Sequence, residues 1–238
     1  MRSVFFGSGP SHEDQRPSDF VIPTPLGAEE LRVLGCLIEK QFLTPDVYPL
    51  TVNSLVNACN QKTSREPVVS YDDDTCLATL DMLQHKGLAT RITGADHRVP
   101  KYRELLGERT NMRLSEIAVL CVMMLRGPQT LAELKERTQR IHEFATIEDV
   151  EATLDRLMER ERQNLVVKLP KLPGHKEVRY MHLLAGPVPV EELAAAVTAP
   201  RHAPQDDRVA RLESEVAALK EQVQRLEDEL HRFRQQFD

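Results

Sequence analysis

Residues 78–83 read Ala78-Thr79-Leu80-Asp81-Met82-Leu83, and residues 152–157 read Ala152-Thr153-Leu154-Asp155-Arg156-Leu157. The match extends in both directions. Thr51 and Leu55 recur as Thr130 and Leu134, and Leu31, Val33 and Leu34 recur as Ile117, Val119 and Leu120. On the other side, His97-Arg98-Val99-Pro100-Lys101-Tyr102 recurs as His175-Lys176-Glu177-Val178-Arg179-Tyr180. One short identity can arise by chance in a helical chain. Four matches in the same order point to an internal duplication of one domain of roughly 80 residues.

Periodicity gives each copy the same order of elements. Apolar residues at helical spacing predict a first helix over 27–42, a short second helix capped by Thr51, and a third over 71–86. Ser70 is the expected N-cap of the third helix, and Asp72, Asp73 and Asp74 suit the positive end of its dipole. Gly87 stops it. Two strands, 88–92 and 99–103, should follow as a hairpin. The second copy repeats this with a helix over 115–125, a short helix capped by Thr130 and reaching about Thr138, a helix over 146–160, and strands over 165–169 and 178–183. Three helices and a hairpin are the winged-helix form of helix-turn-helix, with the third helix as recognition helix and the hairpin as wing.

The expected fold class is therefore mainly α with small β-hairpin wings: two tandem winged-helix domains over 26–110 and 111–186, plus a C-terminal coiled coil. A flexible arm of Pro, Ser and Gly occupies 1–25, and a Pro-rich linker 187–207. Over 208–238, Val209, Leu212, Val216, Leu219, Val223, Leu226, Leu230, Phe233 and Phe237 alternate at spacings of three and four. Val at the early a positions with Leu at d favours a parallel two-stranded coil. In that register Arg208 faces Glu213, Glu215 faces Lys220 and Glu229 faces Arg234 of the other strand, all attractive. A homodimer is the expectation.

Composition narrows the function classes. The 238 residues are 41% hydrophobic and 29% charged, with a net charge of -6 and no Trp. That is enough apolar material for a core of packed helices. The acidity gathers in 187–238, which holds 7 basic against 11 acidic residues. The rest is close to neutral and can carry a local basic face. Cys36, Cys59, Cys76 and Cys121 form no Cys-x-x-Cys pair and sit in apolar helical stretches, so they read as buried hydrophobes in a reducing, cytoplasmic compartment. No signal peptide or membrane-spanning run is present. The ten glycines make no phosphate-binding loop, and the eight histidines make no metal-binding pair. No enzyme activity, cofactor or metal is expected.

The candidate contacts to duplex DNA are the polar loop Gln61, Lys62, Thr63 and Arg65, the first wing with Arg91, His97, Arg98 and Lys101, and the second wing with Lys168, Lys171, His175, Lys176 and Arg179. Thr75, Thr79, Thr146 and Thr153 on the third helices are within possible reach of bases. Against this, both third helices begin with acid, Asp72–Asp74 in one and Glu148, Asp149 and Glu151 in the other, where a recognition helix normally touches DNA. Two expectations follow: a DNA-associated dimer, perhaps a transcriptional regulator, whose loop and wings touch phosphates, or a protein-interaction module whose acidic helices dock an unknown partner.

The stretch LRVLGCLIEKQFLTPDVYPLTVNSLVNACNQKTSREPVVSYDDDTCLATLDMLQHKGLA resembles the YceH-like bacterial proteins. So do SEIAVLCVMMLRGPQTLAELKERT and VVKLPKLPGHKEVRYMHLL, and the resemblance covers about 26–186. It implies two winged-helix domains and carries over no catalytic residue.

Overall fold

The two most apolar helices of the chain dictate where everything else goes. A computed structural model describes residues 20–93, 99–171 and 177–187. Helix α1 (Ala28–Leu43) is buried without a break from Glu30 to Glu39. Helix α5 (Leu114–Arg126) is buried from Ser115 to Leu125. A helix that is apolar all round has to be covered on every side, and these two cover each other. Gly35 marks their closest approach, since a Cβ there would lie 2.9 Å from Leu125 Cδ2. The Cys121 thiol donates to the Gly35 carbonyl at 3.4 Å across the same contact.

Around this pair the same order of elements is built twice. In the first repeat, α1 is followed by α2 (Val52–Cys59), α3 (Asp73–His85) and the antiparallel pair β1 (Ala89–Ile92) and β2 (Lys101–Glu104). A short helix α4 (Leu106–Thr110), which periodicity did not reveal, leads on to α5. The second repeat continues with α6 (Leu131–Thr138), α7 (Ile147–Met158) and the antiparallel pair β3 (Val166–Lys168) and β4 (Tyr180–His182). The protein is thus mixed α+β with small antiparallel strand pairs.

The repeats agree down to single hydrogen bonds. Leu50, just before the Thr51 cap of α2, bridges to Tyr102; Gln129, just before the Thr130 cap of α6, bridges to Tyr180. Leu88 N donates to Leu83 O, and Leu165 N donates to Leu157 O. The matched Leu80, Leu83, Leu154 and Leu157 are all core residues. The four cysteines are free and buried.

Some expectations are corrected. Asp72, not Ser70, caps α3, its carboxylate accepting from Thr75 N at 2.8 Å. A carboxylate suits the dipole better than a hydroxyl does. Residues 20–25, expected to belong to a flexible arm, are anchored. Ile22 is gripped by Gln163, whose amide accepts from Ile22 N at 2.9 Å and donates to Ile22 O at 3.0 Å. Leu26 N then donates to Leu184 O at 2.8 Å, so this segment ties the start of α1 to the end of the second repeat. Thr79 and Thr153 are buried and donate to Thr75 O and Asp149 O, and Thr146 caps α7. These three hydroxyls are engaged by their own helices and are withdrawn as base contacts. The heptad residues 208–238, with Val209, Leu212, Val216, Leu219, Val223, Leu226, Leu230 and Phe233, lie outside the described residues, as do 1–19.

The strand pairs end differently. Glu104 and His182 occupy the same place, two residues after the matched tyrosines, and both are buried. Glu104 accepts from Gly107 N at 3.2 Å. His182 is 2% exposed, and its Nδ1 has no partner among the described residues. Burial pushes its pKa down from 6.5 to about 4. The folded protein therefore keeps the ring neutral while the unfolded chain takes up a proton. The stability tied to this group is intact above about pH 6.5 and is lost as pH falls toward 4, at ~1.4 kcal/mol per pH unit. Between pH 7 and pH 5 the native protein should lose about 2 kcal/mol that His182→Leu does not lose, measured by urea unfolding. Equal losses in both proteins would contradict this.

Candidate nucleic-acid interface

The loop after α2 does not stand free. Glu66 N donates to Leu125 O at 2.8 Å, and Arg126 donates to Ser64 Oγ at 2.5 Å, so the loop closes over the end of α5. Arg65, expected to reach phosphate, points inward instead, its side chain 0% exposed. It donates to both Glu39 carboxylate oxygens, at 2.9 and 2.5 Å, to Ala58 O at 3.1 Å and to Gln61 Oε1 at 3.0 Å. Burial alone would raise the Glu39 carboxyl, but the hydrogen bond and charge of Arg65, helped by Lys40, outweigh it and hold the group below the usual carboxylate range. Burial likewise works against the Arg65 charge, yet Glu39 keeps its pKa above the ordinary value. Arg65 is therefore corrected from a DNA contact to a structural ion pair, and Gln61 serves it. Lys62 and Thr63 remain exposed at the loop tip.

On the first wing, Arg91 is exposed on β1, and Lys101 is half-buried opposite Ile92. On the second, Lys168 and Lys171 are exposed, with Lys168 Nζ 5.8 Å from the centre of the Tyr180 ring. Arg179 is corrected. It donates to Pro128 O at 2.7 Å and to Glu133 at 2.9 Å, so β4 is tied to the start of α6 and the guanidinium is not available to a phosphate. His97, Arg98, His175 and Lys176 lie outside the described residues.

The loop tip forms one wall of a cleft that the sequence reading missed. Lys40 from α1, Arg126 from α5, Arg137 from α6 and Arg140 just beyond it line this cleft with Lys62. Its volume is about 400 Å³. Burial pulls the Arg126 pKa below its ordinary value, and the positive charge of Arg137 adds to the effect. The sequence gave little sign of this gathering. Lys40, Arg126 and Arg137 each sit in the last turn of their helices, where a basic residue answers the helix dipole in almost any protein.

The outward faces of the third helices are acidic, as their sequences suggest. Asp73, Asp74 and Asp81 are exposed on α3, and Glu148, Asp149, Glu151 and Asp155 on α7. Among the described residues there is no group of three or more side chains suited to a metal, and no helix is long and apolar enough to cross a membrane.

Residues 26–175 match the family described as "Protein of unknown function, DUF480". A UPF0502 protein of Solibacter usitatus is 52% identical over 192 residues, covering 81% of this chain and 91% of its own. One from Geobacter sulfurreducens is 48% identical over 214 residues, covering 88% and 96%. A third, from Vibrio vulnificus, is 46% identical over 200 residues, covering 81% and 91%.

The two basic residues of the loop should separate cleanly on mutation. Arg65→Ala strands the buried Glu39 charge and is expected to cost about 3–5 kcal/mol in urea unfolding at neutral pH. Lys62→Ala should stay within about 0.5 kcal/mol of the native protein. A small loss for Arg65→Ala would contradict its assignment.

Proposed function

The chain belongs to the DUF480 family, and we propose that it is a dimeric, DNA-associated protein of two tandem winged-helix units, holding duplex DNA by its phosphates. The observation that carries this reading is the unpaired charge on both hairpins. Arg91, Lys101, Lys168 and Lys171 enter no ion pair among the described residues, while Arg103 and Arg179 on the same strands do. Free cations on projecting hairpins suit counterion-releasing contact with a phosphate backbone. Lys62 and Thr63 can add to it from the loop tip.

The acidic α3 and α7 do not enter a major groove in this reading. Placing Asp73, Asp74 or Glu148 beside phosphate would bring like charges together without a compensating base contact. Recognition is therefore of the backbone and shape, with little dependence on base sequence. The heptad segment joins two chains and so doubles the wings presented to one duplex, a gain in avidity.

A second reading rests on α3. Leu77 and Met82 are 38% and 46% exposed and flank Asp74, Ala78 and Asp81 on the outward face. Acid bordered by apolar side chains suits a basic amphipathic segment of another protein.

Fluorescence anisotropy of a mixed-sequence duplex at 50 and 200 mM salt separates the two. The DNA reading expects micromolar binding that weakens steeply with salt, and a salt slope reduced by about 2 when Lys168→Ala and Lys171→Ala are combined. No binding at 50 mM salt would remove it and leave the protein-partner reading.

A further inference from the structure

The cleft beside the loop tip has properties that backbone contact does not use. It lies between the repeats, walled by the end of α1, the loop 60–65, the end of α5 and the region after α6. Five cations line it: Lys40, Lys62, Arg126, Arg137 and Arg140. Glu39 is the carboxylate in that lining, and Arg65 already holds both its oxygens. Arg137 leans on Glu133, 3.3 Å away, which Arg179 also holds. Lys62, Arg126 and Arg140 have no carboxylate within ion-pair distance among the described residues.

Two counter-terms have to be weighed. The C-terminal turns of α1, α5 and α6 reach this cleft and bring partial negative charge, at most about half a unit each. Together they are smaller than the charge of the three unpaired cations. Mutual repulsion of those cations is the second term. It costs free energy in the empty site, and an anion relieves it on binding.

The rest of the lining is apolar. Val122 and Leu125 are buried, and Leu43 and Ile141 are half-buried. Cations converging over an apolar floor suit a ligand with a charged head and a small organic body. A volume of about 400 Å³ falls in the range of small-molecule sites, roughly 300–1,000 Å³. A duplex is a rod with a phosphate charge every ~1.7 Å along its axis. It can meet the exposed Lys62 and Arg140 at the rim but has no compact group to fill the floor beside the half-buried Arg126.

We infer that this cleft is a binding site for a small phosphorylated ligand of the nucleoside-phosphate class, with Arg126, Arg140 and Lys62 on the phosphates and the organic body against Val122 and Leu125. The site is separate from the wings and does not depend on whether they bind DNA.

Calorimetric titration of the full chain with ADP, adenosine and inorganic pyrophosphate at low salt tests it. Saturable binding of ADP at one site per chain, weaker binding of pyrophosphate and none of adenosine is the expected result. Lys62→Ala with Arg140→Ala, both exposed and so safe for the fold, should weaken ADP at least tenfold with an unchanged melting temperature. Lys168→Ala with Lys171→Ala should leave ADP binding as it was, whatever it does to DNA. The proposal is overturned if ADP does not saturate below millimolar concentration, if adenosine binds as well as ADP, or if the cleft variant binds ADP normally. Displacement of ADP by an equal concentration of duplex would assign these cations to DNA phosphates and overturn the free-ligand source.

Discussion

The contact of α1 with α5 at Gly35 is the constraint on which the rest of the structure depends. Each helix is apolar around its whole circumference, so neither can be finished by its own repeat alone. The second and third helices of each repeat cover one side, and the other repeat's first helix covers the other. The absence of a side chain at Gly35 lets Leu125 and Cys121 sit against the α1 backbone. Everything that crosses between the repeats follows from that approach: the loop docked on Leu125 O, the Ser64–Arg126 bond and the Gln163 clasp on Ile22. The cleft is a product of the same geometry, because helix ends carrying basic residues are brought together where α1 and α5 run side by side.

Charge is sorted by position in a way that supports the functional reading. Acid lies on the outward faces of α3 and α7, and unpaired base lies on the hairpins and in the cleft. Buried charge is paired off: Arg65 with Glu39, and Arg32 with the Cys59 and Pro67 carbonyls at 3.1 and 2.6 Å. The net charge of -6 therefore says little about any one surface. An anion approaching the hairpins meets a different molecule from a cation approaching α3.

Much of the architecture was legible because duplication makes each half a check on the other. The matched leucines, the Thr51 and Thr130 caps and the matched tyrosines all fall where the repeat places them. Helix α4 escaped because five residues are too few to show a period. Arg65 was misread for a physical reason. A polar loop of Gln, Lys, Thr, Ser and Arg looks solvated, and nothing local shows that Glu39, 26 positions earlier, waits for it inside. Arg179 fails the same way, since its acceptor Glu133 lies 46 positions before it. The cleft assembles single basic residues from separate helix ends, each unremarkable in its own segment.

The central claim is that the two repeats are one cooperative body joined at Gly35, and native-state hydrogen exchange of the full chain carrying Gly35→Leu tests it most directly. A leucine there overpacks the α1–α5 contact and should cost about 3 kcal/mol. If the repeats share one core, the slowest amides of α3 and of α7 lose protection together and by the same amount. Loss confined to α3, with α7 as protected as in the native protein, would show two independent domains and contradict the account.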